Sequence, residues 1–543
     1  MAEQDLHDEE VETVRAPPVL DEAHVGDIRG ALGTIRLDDT AHRTSIRAHV
    51  MALLAIMGPG LIVMVGDNDA GGVSTYAQAG QNYGTSLLWV LLLLIPVLIV
   101  NQEMVVRLGA VTGMGHGRLI LERFGRFWGA FSIIDLFVLN FLTIVTEFIG
   151  VDLALGYFGL SKYLTIPIAA VVLIAITMTG SFEKWERLMF VFVAGNLLVI
   201  PLILYAPVHV GAVAHSFVVP GVTGGITSTS VLLIVAMVGT TVAPWQLFFQ
   251  QSNVVDKRIT TRWINYERAD TVIGSFVVVI GASLILITVA YAFAGTPAHG
   301  HFTNALGVAE GLRHTLGHAA GVLFSLVLLN ASIIGAGAVT LASSYAFGDV
   351  FGMRHSLHRP PREAKFFYGS YSAIIALAAS IVLIPGAPLG VITLAVQALA
   401  GVLLPSASVF LLLLCNDREV LGPWVNKRWL NILATVILGI LFMLSGILVA
   451  TTAFPTINVT LLLIVLVSLL AVGLVVLGVV NRPEPEAAAV PTERRETWTM
   501  PSLALLGKPV WSRARRLTLY LMYGYLAVVI ILLVFKAVRL AGG

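Results

Sequence analysis

The sequence predicts an all-α polytopic membrane protein built as a five-plus-five inverted repeat, its first and sixth helices broken, with two or three further spans at the C-terminal end. Three observations carry this. Of 543 residues, 57% are hydrophobic and only 12% are charged, too apolar a chain for a soluble core alone. Near-continuous apolar runs of roughly 18 residues or more, each enough to cross a bilayer as a helix, begin near positions 50, 84, 128, 163, 185, 229, 270, 319, 367, 389, 429, 456 and 517, which gives thirteen spans. The first and sixth runs carry helix-breaking residues at corresponding places.

Residues 1–48 are acidic and polar and lack the charged, apolar and small-residue succession of a cleaved signal, so they are expected to be a disordered cytoplasmic tail. Residues 49–415 make the ten-helix core, 416–480 two additional helices, and 481–515 a Pro- and charge-rich cytoplasmic linker. A terminal helix is expected over 516–543. With the N-terminus inside, 29 of the 33 Lys and Arg residues fall on the cytoplasmic side, which sets the orientation in a cell membrane. Lys536 and Arg539 then lie outside, against that trend. The balanced net charge of +1 offers no footing for nucleic acid, and no obligate protein partner is implied; the lipid bilayer is the expected surrounding.

The first run contains GDNDAGG, with Asp67 and Asp69 at membrane depth. A carboxylate there costs about 2.5 to 3.5 kcal/mol on insertion scales, so it persists only beside a cavity, a partner or an ion. Three glycines and an asparagine make continuous helix unfavourable. In the sixth run, GTTVAPWQLFFQQS, Pro244 follows Gly239, Thr240 and Thr241 and interrupts the helix in the same way. Paired interruptions, each at the head of five spans, point to a site at the membrane midplane of an inverted-repeat transporter.

The third run adds Asn140, Thr143 and Glu147 on one helix face. Asp135 lies about 120° round that helix and Asp152 near its outer end, so both read as structural. Gln397 in the tenth run is either helix glue or part of the site. The one cysteine, Cys415, excludes an intrachain disulfide and reads as a packing residue. Carboxylates, hydroxyls, an amide and freed carbonyls are hard donors, suited to Mg²⁺ or Ca²⁺ with Mn²⁺ tolerated. No histidine lies inside a span, and neither GxxxxGK[ST] nor HExxH occurs, which argues against an imidazole proton relay, ATP-driven pumping and zinc proteolysis.

The stretches GPGLIVMVGDNDAGG with QAG, RLGAVTG, TEFIG, GTTVAP and NASIIGAGAVTLASSY, in order over residues 45–480, resemble the Nramp divalent-metal transporters. The resemblance implies a LeuT-like fold and transition-metal transport with protons. The departures point elsewhere. Where the family carries Asp-Pro-Gly-Asn, this chain has Asp69, Ala70, Gly71 and Gly72; where it carries Ala-Thr-Val-Met-Pro-His, this chain has Thr240 to Trp245, with Ala243 replacing the Met and Trp245 the His. Glu147 is kept, and Ile144 stands where the family has an acid. These changes resemble the Nramp-related magnesium transporters, which implies a wider site, a partly hydrated cation and no proton coupling.

The expected ligands of a transported divalent cation, Mg²⁺ first, are therefore Asp69, Glu147 and Thr240, with backbone around Gly72 and Ala243. Gly71 and Thr241 flank them, Asn140, Thr143 and Gln397 lie close, and Asp67 belongs either to the site or to its entrance. No cofactor is expected. The alternatives are a proton-coupled Mn²⁺ or Fe²⁺ importer of ordinary Nramp type and an organic-solute carrier of the same fold. An enzyme is disfavoured, since no nucleophile–base set is visible.

Overall fold

The computed structural model describes residues 22–386, 388–454, 456–480, 495–507 and 516–528. A short antiparallel hairpin, β1 (Ile28–Gly30) and β2 (Gly33–Ile35), precedes the helices. These are α1 (Ile46–Ile56), α2 (Pro59–Gly66), α3 (Ala70–Tyr83), α4 (Leu88–Thr112), α5 (Arg126–Gly156), α6 (Lys162–Thr177) and α7 (Phe182–Gly195) in the first half. The second half holds α8 (Ser228–Thr241), α9 (Pro244–Asp256), α10 (Ile264–Phe293), α11 (His318–Phe351), α12 (Lys365–Val382) and α13 (Leu389–Leu414), followed by α14 (Arg428–Ala453) and α15 (Val459–Val480).

Among the described residues, ten helices are long and apolar enough to span a membrane, or eleven if α1 and α2, bent by 55°, count as one span. The expectation was thirteen. The difference has two sources: α6 is only 16 residues long and carries Pro167 within it, and only residues 516–528 of the last expected span are described, where they are helical. The bend between α1 and α2 is a further departure from the expected pattern. Gly58 at φ 157° lets the chain turn there, and Pro59 supplies the first residue of α2.

The packing repeats with the period of five spans. The first span (α2 and α3) packs on α10, the seventh, while the sixth (α8 and α9) packs on α4, the second. Advancing each partner by five converts one contact into the other. The third span, α5, lies along the eighth, α11, a pair that maps onto itself. This is the LeuT-like inverted repeat, and it brings the two broken spans together at the centre.

The hairpin corrects the expectation of a disordered tail over residues 1–48, of which 1–21 lie outside the described residues. Ile28 and Ile35 are each 4% exposed, packed with α1 in the core. The Ala31 amide donates to Glu186 Oε2 at 2.5 Å. Glu186 Oε1 in turn accepts from Lys257 Nζ at 2.7 Å, and Lys257 also donates to the Met57 carbonyl at 2.8 Å. Asp270 takes the amides of Gly58, Gly60 and Leu61 at the start of α2. Arg258 donates to the carbonyls of Ala23 and Asp27. The chain ends of α1, α2, α7, α9 and α10 are thus gathered beneath the hairpin.

Candidate functional site

Both breaks form where the sequence places helix-incompatible residues. In the first span, α2 ends at Gly66 and α3 resumes at Ala70, leaving Asp67, Asn68 and Asp69 between them. Asp69 is extended (φ −69°, ψ −177°) and caps α3, its Oδ1 accepting from the Gly72 amide at 2.6 Å. In the sixth span, Val242 and Ala243 separate α8 from α9, which starts at Pro244.

Glu147 reaches the same cap from α5. Its Oε2 accepts from the Ala70 amide at 3.1 Å, its carboxyl group lies against that of Asp69, and among the described residues its Oε1 has no further hydrogen-bond partner. Thr240, at the end of α8, donates from Oγ1 to Asp69 Oδ1 at 3.5 Å. The first amides of α3 therefore serve two carboxylates from different spans, which the positive end of a helix favours. All three side chains are buried, with Asp69 at 2%, Glu147 at 0% and Thr240 at 1% exposure, so the site is occluded.

Gly335 of α11 completes the arrangement, and nothing in the sequence marked it as a site residue. A Cβ there would lie 2.6 Å from Glu147 Oε2 and 2.8 Å from the Asp69 Cβ. Only a glycine lets α11 close over the two acids. The GAG stretch containing it reads in sequence as a close-packing run.

The other expected residues divide. Gly72 is at the site but contributes an amide, already taken by Asp69, and Gly71 lies with it in the first turn of α3. The expected freed carbonyls around these glycines are not found, because the break falls earlier, at 67–69, where Asp69 starts the helix as its cap. The Gly71 carbonyl accepts from Thr75 Oγ1 at 2.7 Å. Ala243 caps α9 and its carbonyl accepts the Gln246 amide at 3.2 Å. Thr241 turns away from the acids: its hydroxyl pairs with Tyr76 at 2.7 Å and its carbonyl accepts from Gln246 Nε2 at 3.1 Å. Asn140 donates to Ser343 at 2.9 Å and Thr143 to the Leu139 carbonyl at 2.9 Å, so both are structural donors at this point. Gln397 is 2% exposed and packs against Gly71, its Nε2 without a partner among the described residues.

Among the described residues no three or more of His, Cys, Asp and Glu converge as a metal cluster. A cation held by two carboxylates and a hydroxyl would take the rest of its shell from neutral oxygens or water.

The sequence profile described as natural resistance-associated macrophage protein-like matches residues 60–451. The chain belongs to the Nramp family. A relative, the divalent metal cation transporter MntH of Staphylococcus aureus, is 27% identical over 452 residues, covering 77% of this chain and 94% of its own length. The manganese transporter of Eremococcus coleocola, solved with an aromatic bis-isothiourea compound, superposes with a TM-score of 0.62 at 21% identity, covering 82% of this chain and 98% of its own. That likeness speaks for the fold. Within the Nramp fold, this chain's acids occupy the first and third spans at the point where both broken helices meet.

Proposed function

We propose that this Nramp protein carries a divalent cation, Mg²⁺ in preference to Mn²⁺, across the cell membrane by alternating access and without proton coupling. The observation that carries the reading is the pairing of Asp69 with Glu147 on the amides of α3 beside the Thr240 hydroxyl. Two negative charges match a divalent cation, and all the donors are hard oxygens. Ala243 in the sixth-span break and Trp245 in the first turn of α9 stand where a thioether and an imidazole would favour softer metals and proton transfer. Held beside a 2+ ion, neither acid is free to shuttle a proton. The membrane potential then supplies the drive, about 2.3 kcal/mol per charge per 100 mV and twice that for a divalent ion. The N-terminus, with the hairpin, lies on the cytoplasmic side, supported by the bias of Lys and Arg.

A second reading, Mn²⁺ import with protons, draws on the names of the relatives, a divalent metal cation transporter and a manganese transporter. One experiment separates the two. Proteoliposomes clamped at a negative internal potential and loaded with a pH dye are offered Mg²⁺ or Mn²⁺. The proposal expects uptake of both, with Mg²⁺ competing effectively and internal pH constant. Acidification that requires both protein and metal would establish the second reading instead.

A further inference from the structure

Gln246 stands in the first turn of α9, just past the second break, and is 0% exposed. A primary amide buried this deeply needs acceptors for its N–H groups and a donor for its oxygen. Gln246 finds them on three different elements. Its Nε2 donates to the Thr241 carbonyl at the end of α8 at 3.1 Å. The Asp67 carboxyl, at the end of α2, hydrogen-bonds to the same side chain. Its Oε1 accepts from Gln102 Nε2 of α4 at 2.8 Å. One side chain thus joins the first-span break, the sixth-span break and the second span.

The Thr241 carbonyl depends on that donor. The last carbonyls of a helix lose their helical partners, and here Pro244 has no N–H to offer. The Val242 amide is taken by the Val238 carbonyl at 2.9 Å and the Gln246 backbone amide by the Ala243 carbonyl at 3.2 Å, so neither serves Thr241. Tyr76 of α3 meets the Thr241 hydroxyl at 2.7 Å. Held at both its carbonyl and its hydroxyl, Thr241 fixes the last turn of α8, which leaves the adjacent Thr240 with its Oγ1 toward Asp69 Oδ1. The other arm of Gln246 acts on the first break. Asp67 lies two residues before Asp69, in the non-helical stretch that lets Asp69 extend and cap α3.

We propose that Gln246 is a positioning residue for the cation site: by holding the residues beside each, its amide sets the Thr240 hydroxyl against Asp69. Gln102 keeps that amide in place. The assignment rests on the cation binding at Asp69, Glu147 and Thr240, and not on whether the cation is Mg²⁺ or Mn²⁺.

The test is a mutant cycle. Equilibrium binding of Mg²⁺ and of Mn²⁺ to the purified full-length protein is measured beside the thermal unfolding midpoint in detergent. Gln246→Leu and Thr240→Val should each weaken divalent binding by about ten-fold. The double variant should bind within about two-fold of Thr240→Val alone, because the group to be positioned is already gone. Gln246→Glu, close in size, exchanges the donor for an acceptor; it should lose affinity similarly and serves if Gln246→Leu fails to fold. A residue that only stabilised the fold would lower the midpoint, and its loss would multiply with that of Thr240→Val to about 100-fold. Such a product, or wild-type affinity in Thr240→Val or in either Gln246 variant, overturns the positioning role. Tighter binding of Mn²⁺ than of Mg²⁺ by the wild type would count against the Mg²⁺ preference alone, and the same cycle then decides the role of Gln246 with Mn²⁺.

Discussion

Two clusters of buried acids lie against the same first span, one at each end of α2, and their partners differ in kind. At its start, Asp270 holds three backbone amides and Glu186 pairs with Lys257, both members of that ion pair fully buried. At its far end, Asp69 and Glu147 meet each other, backbone amides and a hydroxyl. The first cluster holds a cation of its own on the Lys257 side chain and is closed further by backbone amides. The second is open: on our proposal its positive charge comes from the transported ion, which arrives and leaves. On that proposal the lysine separates a structural cluster of acids from the one that takes cargo.

Removing a carboxylate from the open cluster should have the largest effect. Asp69→Ala or Glu147→Ala is expected to reduce cation uptake by about 100-fold or more, equivalent to ~2.7 kcal/mol, with the protein still inserted and monodisperse. Wild-type flux from a well-expressed Asp69→Ala variant would remove that residue from the site.

The closed cluster should respond in stability. Lys257→Met leaves Glu186 buried without its partner and is expected to destabilise by about 3–5 kcal/mol, read as a lowered thermal unfolding midpoint in detergent. Adding Glu186→Gln should recover part of the loss. If Lys257→Met were neutral, the contrast between the clusters would collapse.

A smaller effect is expected on selectivity. Ala243→Met should move the Mg²⁺ to Mn²⁺ competition ratio toward Mn²⁺ by about ten-fold, ~1.4 kcal/mol, by adding a soft donor at the second break. Gly72→Asn is a poorer test: a Cβ at Gly72 would lie 2.7 Å from the Asp67 carbonyl and 3.1 Å from Thr240 Oγ1, so it strains the cap before it offers a ligand. An unchanged ratio in Ala243→Met would show that this position does not set preference.

The smallest effect concerns pH. Outside the spans, burial would lower the pKa of His355, but the Asp349 carboxylate 3.0 Å away outweighs it and raises the value to about 9 from 6.5. Asp256 acts in the same direction, and the Met353 carbonyl accepts from the ring. A raised folded-state pKa gives stability that is fully present below pH 6.5 and lost as pH rises through 9. The unfolding midpoint should therefore decline over that window, and Asp349→Asn should flatten the decline. A midpoint with the same slope in both proteins would remove this pair as its source.

Much of this architecture is legible in the chain because breaks in apolar runs have local causes. Pro244 cannot donate an amide, and Asp69 caps the helix that follows it, so both interruptions can be read from a few residues. Glu147 was legible because a carboxylate inside a 31-residue helix demands a partner. The hairpin was not, since its strands are three residues each and its hold on the core comes from Glu186, 155 residues away from Ala31. Gly335 escaped for a related reason: its importance lies in what it omits, which only the neighbouring helices reveal. The amides of Gln102 and Gln246 look like ordinary polar residues until their hydrogen bonds are followed.

The hairpin's attachment also bears on where the chain can be cut. A protein trimmed to begin at residue 22 keeps every bond described for the tail, whereas one trimmed to begin at residue 37 loses the Ala31 amide from Glu186 and leaves Arg258 without the carbonyls of Ala23 and Asp27. Arg258 is held at φ 66°, a backbone shape rarely adopted outside glycine. Its side chain bonds are what offset that cost. The fifteen residues from 22 to 36 therefore belong to the folded unit, and a shortened protein for purification or labelling should start upstream of them.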